Sequence, residues 1–101
     1  TVEPSNLMIE TKKIAYKLIS NTAPVSVALT RHMIWDMSSA SSPEEAHILD
    51  SKSINSRGAS EDAVEGVMSF LEKRKAKYVN KISSDMPSFF PWRKSMFKEK
   101  K

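Results

Sequence analysis

The densest chemistry in the chain is a run of cations. Lys73, Arg74, Lys75 and Lys77 follow directly on an acidic stretch, Glu61, Asp62, Glu65 and Glu72, that contains no base. Cations at that density draw phosphate-bearing ligands by charge, and a simple solvated basic end is the competing explanation. Residues 1–60 are charge-balanced, so the net charge of +4 arises wholly after them. The remaining reactive side chains form no constellation. His32 and His47 lack the HxxxH or HExxH spacing that turns two imidazoles onto one metal. A metal would need carboxylates converging in three dimensions, and packing or hydrogen bonding is the simpler role for each histidine. Glu44 and Glu45 are adjacent, and adjacent residues of a helix do not face each other, so a capping turn explains them better than an acid/base pair. Serine is abundant, yet none stands in a GxSxG elbow. The basic residues trace one helix end and a tail with no helix-turn-helix or RNP pattern, which argues against a nucleic-acid module.

Composition excludes more. There is no cysteine, hence no disulfide, thiolate or Cys-based zinc site. Gly58 and Gly66 are the two glycines, too few for a phosphate-cradling loop or for the tight turns of an all-β fold. No apolar run approaches the roughly 20 residues that span a bilayer. Thr1-Val2-Glu3-Pro4 is no signal peptide, and a start without Met reads as a piece cut from something longer. At 101 residues and 40% hydrophobic content, one domain with a modest core is expected.

Four helices must position these groups. Leu7, Ile14 and Leu18, with Ala15 and Ile19, recur at helical spacing, and Ala23-Pro24 stops that helix. Pro24 then opens a second, over roughly 24–39, whose apolar residues run most of the way round and call for more than one neighbour. Ser42-Pro43-Glu44-Glu45 predicts a capping box for the third, closed by Gly58 in the left-handed region. Ala46, Leu49 and Ser53 share a face of it. Ser60 caps the fourth, where Val64, Val67, Met68 and Leu71 form an apolar stripe at helical spacing, with acids first and bases last to suit the helix dipole. Phe70 lies off that stripe, near Ala63 and Gly66, as a core aromatic or an interface residue. Phe89-Phe90-Pro91-Trp92 cannot be regular helix, so residues 79–92 are expected to dock as an extended segment, and 93–101 to fray as a basic end.

The stretch Ser60-Glu61-Asp62-Ala63-Val64-Glu65-Gly66-Val67-Met68-Ser69-Phe70-Leu71-Glu72-Lys73-Arg74 resembles the C-terminal signature of the enoyl-CoA hydratase/isomerase (crotonase) family, S-x-D-x-x-E-G-hydrophobic-x-A-F-x-E-K-R, with Ser69 in place of alanine. Residues 12–24 look like that family's helix ending in I-x-x-x-x-P, and residues 43–51 like its P-x-E-A-H-x-x-D-S helix. Ser84-Asp85-Met86-Pro87 with Phe90-Pro91-Trp92 resembles the tail of bacterial members. The resemblance covers about residues 7–92.

It implies an all-α C-terminal trimerisation domain, four helices and an irregular arm, from a protein that adds water across the double bond of an enoyl-CoA thioester or shifts that bond in fatty-acid metabolism. The glutamates and backbone donors of that chemistry belong to an upstream domain, and nothing in this chain matches them. It implies no catalytic residue here, no metal and no cofactor beyond the coenzyme A thioester that the full-length protein takes as substrate. It also implies a cytoplasmic protein. Two site residues carry over. The phenylalanine matching Phe70 lines the acyl end of a pocket across the subunit interface, and the lysine matching Lys73 pairs with the phosphate on the CoA adenosine. Three residues apart, the two are expected on one helical face. The implied partners are further copies of the chain and acyl-CoA held with the core domain, with no membrane. Parted from that core, the chain is expected to expose the apolar second helix and to self-associate. The alternative is a stand-alone helical adaptor whose basic arm binds an acidic partner or nucleic acid.

Overall fold

The computed structural model describes residues 1–92; the basic end expected over 93–101 lies outside the described residues. The described chain is all-helical. A short 3-10 turn at Pro4–Asn6 leads into α1 (Leu7–Ile19), followed by α2 (Pro24–Met37), α3 (Pro43–Gly58) and α4 (Glu61–Leu71). A non-helical segment then returns from residue 72 to Trp92.

Proline sets two of the starts. Ala23 is extended, as a residue before proline must be, and Pro24 enters α2 where its missing N–H costs nothing. Ser42 and Pro43 open α3 in the same way. The reciprocal capping box does not form there. The Ser42 side chain makes no capping bond, and the hydroxyl that reaches Glu45 is that of Ser41, at 2.6 Å. Helix α2 stops at Met37, two residues short of the expected end, because the Ser38 and Ser39 hydroxyls donate to the Trp35 and Asp36 carbonyls and compete with the next turn.

Gly58 is not in the left-handed region, and no glycine is. The end of α3 needs no such residue. Ala59 N–H donates to the Asn55 carbonyl, and both the N–H and the hydroxyl of Ser60 donate to Arg57, so the last carbonyls are satisfied by a chain already turning into α4. The Ser60 hydroxyl also accepts from Ala63 N–H, the N-cap that the sequence predicts.

The core is small and depends on the return segment. Val25 and Leu29 of α2, Leu49 of α3 and Trp92 are the buried hydrophobics, with Met33, Met37, Met86, Phe89 and Phe90 packed around them. Residues 86–92 therefore dock as expected. Phe90 meets His32 edge-on at a centroid distance of 4.9 Å and Trp92 at 5.3 Å, which gives His32 a packing role. Ser53, on the face of α3 shared with Leu49, is buried and donates to the Leu49 carbonyl.

Helix α2 has more than one neighbour, as its apolar circumference calls for, but they cover one face of it. Its inner face packs on α3 and the return segment, while Val27, Ile34 and Trp35 stay exposed. Helix α1 buries no residue at all. The Cα radius of gyration is 17.0 Å, where a compact chain of this length would have about 13 Å. No helix of the described residues is long and apolar enough to cross a membrane.

With so few buried side chains, one large one carries much of the stability. Trp92→Ala should cost about 3–5 kcal/mol, comparable to the whole stability of a small domain. Thermal unfolding followed by circular dichroism should lose its cooperative transition, whereas Trp35→Ala on the open face of α2 should leave the transition nearly unchanged.

Candidate functional site

Helix α4 carries two stripes at the same helical spacing. One is apolar: Val64, Val67, Met68 and Leu71. The other is polar or small: Asp62, Glu65, Gly66 and Ser69. Periodicity alone assigns the apolar stripe to the core, and the structure reverses that. All four apolar residues are exposed, while Asp62 and Ser69 are buried.

The return segment explains the reversal. It leaves α4 and runs back along the polar stripe, making contacts in reverse order. Arg74 N–H donates to the Ser69 carbonyl at 3.0 Å, and Lys77 N–H to Glu65 Oε1 at 2.9 Å. Val79 and Asn80 N–H both donate to Asp62 Oδ1, at 2.7 and 3.2 Å. An extended backbone with no sheet to join needs acceptors, and the carboxylates of one helix face supply them. Tyr78 closes the row over Gly66, where an added Cβ would meet its hydroxyl at 3.6 Å and its ring at 3.8 Å, ordinary contacts. The Ser69 hydroxyl donates to the Gly66 carbonyl on this same buried side, away from Phe70, so its place in the signature bears on the packing of the return segment.

The expected cationic run is divided by the same geometry. The Arg74 guanidinium donates two bonds to the Glu65 carboxylate, and its Nε a third to Glu72. Arg74 is thus spent on an internal pair and is not available for phosphate. Glu65 is held from its ordinary 4.5 down to about 2, first by the Arg74 side chain and then by Lys77 N–H. Lys73 is exposed and forms no ion pair among the described residues. No base lies in the last turn of α4, contrary to the dipole argument, because the helix ends at Leu71 before the bases begin.

Lys73 is therefore not on a helical face with Phe70. It sits just past the helix at φ 53, the one non-glycine residue with positive φ among those described. Its N–H donates to the Phe70 carbonyl while Arg74 N–H reaches Ser69. That pair of bonds is a Schellman motif with lysine where glycine is usual. Left-handed backbone costs a residue with a Cβ about 1–2 kcal/mol. Phe70, at 81% exposure, is the most exposed of the large hydrophobic residues described. The structure leaves Phe70 and Lys73 open to solvent on either side of the helix terminus, joined by one backbone hydrogen bond. Among the described residues no group of three or more His, Asp or Glu gathers as metal ligands would.

No known family model matches the chain. Individual relatives do. Enoyl-CoA hydratase ACTT3 of Alternaria alternata is 40% identical over 79 residues, 77% of this chain and 26% of that protein. Enoyl-CoA hydratase AKT3-2 of the same organism is 44% identical over 66 residues, 65% of this chain and 22% of that protein. The chain belongs to the enoyl-CoA hydratase family. It matches a C-terminal fragment of that family and spans about a quarter of the length of these curated relatives. The enoyl-CoA hydratase signature quoted above now divides by role. Ser60 caps α4, Asp62 and Glu65 hold the return segment, Gly66 leaves room for Tyr78, and the phenylalanine and lysine are left outside.

Glu65 makes acid stability predictable. Its carboxyl stays ionised in the folded chain to about pH 2 but takes a proton near 4.5 when unfolded. The unfolded state therefore binds more protons below that value, and the contribution, complete at neutral pH, is lost as pH falls from about 4.5 to 2. Urea unfolding across that window should show the decline, and Glu65→Gln should lower stability at neutral pH and flatten the profile. Gly66→Ala should raise stability by as much as about 1 kcal/mol in the same assay, since helix propensity improves and the space exists.

Proposed function

We propose that this chain is the assembly and acyl-CoA-contacting segment of an enoyl-CoA hydratase or isomerase. The carrying observation is the pair of faces left open on α4. The stripe of Val64, Val67, Met68 and Leu71 is exposed although its spacing is that of a buried face, and Phe70 stands beyond it in solvent. Continuous apolar surface of this kind marks a contact with another protein surface. In this reading the occupants are further copies of the chain in a trimer. Phe70 reaches across that interface to line the acyl end of a neighbour's pocket, and Lys73 pairs with the phosphate on the CoA adenosine. Hydration of a 2-enoyl-CoA needs acid/base carboxyl groups and donors for a thioester oxyanion, and these belong to a core domain outside this chain. The chain adds binding surface to that chemistry and no catalytic group.

Sedimentation equilibrium tests the assembly half. Val67→Asp with Leu71→Asp places charge on the open stripe without touching the buried cluster, so helicity and unfolding midpoint should hold while association weakens by roughly 30-fold or more. An unchanged mass distribution would overturn the trimer reading. In the protein that carries this segment, Phe70→Ala should raise KM for medium-chain enoyl-CoA more than for crotonyl-CoA, and the isolated chain should show no crotonyl-CoA hydration. Equal KM effects on both substrates would remove Phe70 from the acyl site.

A further inference from the structure

Lys73 is held in its costly left-handed conformation by its two neighbours in sequence. Glu72 and Arg74 are joined to each other through Arg74 Nε, and Arg74 is joined in turn to Glu65 by a two-pronged pair. The backbone on either side is pinned as well, Lys73 N–H to Phe70 and Arg74 N–H to Ser69. Glu65 also takes Lys77 N–H, so one carboxylate collects the chain on the far side of Lys73. Without this knot, a residue with a Cβ would relax from φ 53 toward the ordinary regions, and the direction of its Cα–Cβ bond would swing. A lysine that meets a phosphate as a point charge on a long stem gains most when the root of that stem is fixed.

We propose that Glu65, acting through Arg74, is a positioning residue that fixes the direction in which Lys73 presents its ammonium group to a phosphate monoester. The proposal rests on the reading of Lys73 given above and adds a partner that never touches the ligand. It also carries a sign that simple electrostatics does not. Removing the Glu65 charge makes the surroundings of Lys73 more positive and would tighten phosphate binding by charge alone. Loss of positioning weakens it.

The experiment compares binding of CoA and dephospho-CoA, by calorimetry at low salt, in the protein that carries this segment. The ratio of the two affinities reports the adenosine phosphate contact and is unmoved by a general loss of fold or of active protein. Lys73→Met should reduce the ratio by roughly fivefold, the scale of an exposed ion pair. Glu65→Gln should reduce it by at least half that factor, with dephospho-CoA affinity kept. Arg74→Lys preserves charge but loses the two-pronged geometry, and should also reduce it. If Glu65→Gln fails to fold, Arg74→Lys decides the matter. A ratio that collapses with Lys73→Met but is unchanged or higher in both clamp variants overturns the positioning role and leaves the phosphate contact standing. A ratio indifferent to Lys73→Met overturns the phosphate contact, and the positioning role with it.

Discussion

The structure depends on backbone amides finding acceptors outside any sheet. Residues 72–92 follow the last helix with no strand to pair with, and a covered N–H without a partner is costly. Carboxylates on one face of α4 answer that need, Asp62 for two amides and Glu65 for a third, and they fix the path along which the segment returns. That path delivers Trp92 to Val25, Leu29 and Leu49, so the apolar core is completed by a residue whose approach is laid down by polar bonds. The hydrophobic effect supplies the depth of the fold and the carboxylates supply its direction.

One consequence is an inside-out helix. A helix that spends its polar face on its own return segment must present its apolar face elsewhere. In α4 that face is open along its length, and the outer side of α2 and all of α1 are open as well. A 101-residue chain that buried these surfaces within itself would be more compact than this one. The chain thus has the composition of a small globular domain and leaves open apolar faces that such a domain would ordinarily cover.

Much of this was legible before any coordinates. Pro24, Pro43 and Ser60 mark helix starts by stereochemistry alone, and Phe89, Phe90 and Trp92 had to find cover because three aromatics so close together do not sit in water. What periodicity could not decide was which of the two stripes on α4 faces inward. Both have helical spacing, and hydrophobicity points to the wrong one, since the ligands of the polar stripe are backbone amides that no side-chain pattern reveals. The signal was present in another form. Among the residues that carry the resemblance are Ser60, Asp62, Glu65 and Gly66, polar or small residues that mark the fold where hydrophobicity alone would look to apolar ones. Gly58 failed as a left-handed cap because Ser60 already serves the carbonyls it would have freed, a competition visible only once the turn is built. The shared face expected of Phe70 and Lys73 failed for a related reason: helical spacing was carried two residues past the point where the helix stops.

The end of α4 shows how strain and exposure come to lie at one place. Glycine at position 73 would relieve the left-handed backbone, and the Schellman bonds would form as well or better without a side chain. A lysine there carries the cost of the left-handed backbone and, among the described residues, pairs with no carboxylate to offset it. Arg74 beside it is paired to Glu65 and Glu72, and Asp62 and Glu65 take the amides of the return segment, so these bonds of the terminus form without the lysine side chain. The phosphate contact proposed for Lys73 would give this strained, exposed cation a use, and the bonds that hold the strain in place would then be part of how the phosphate is met.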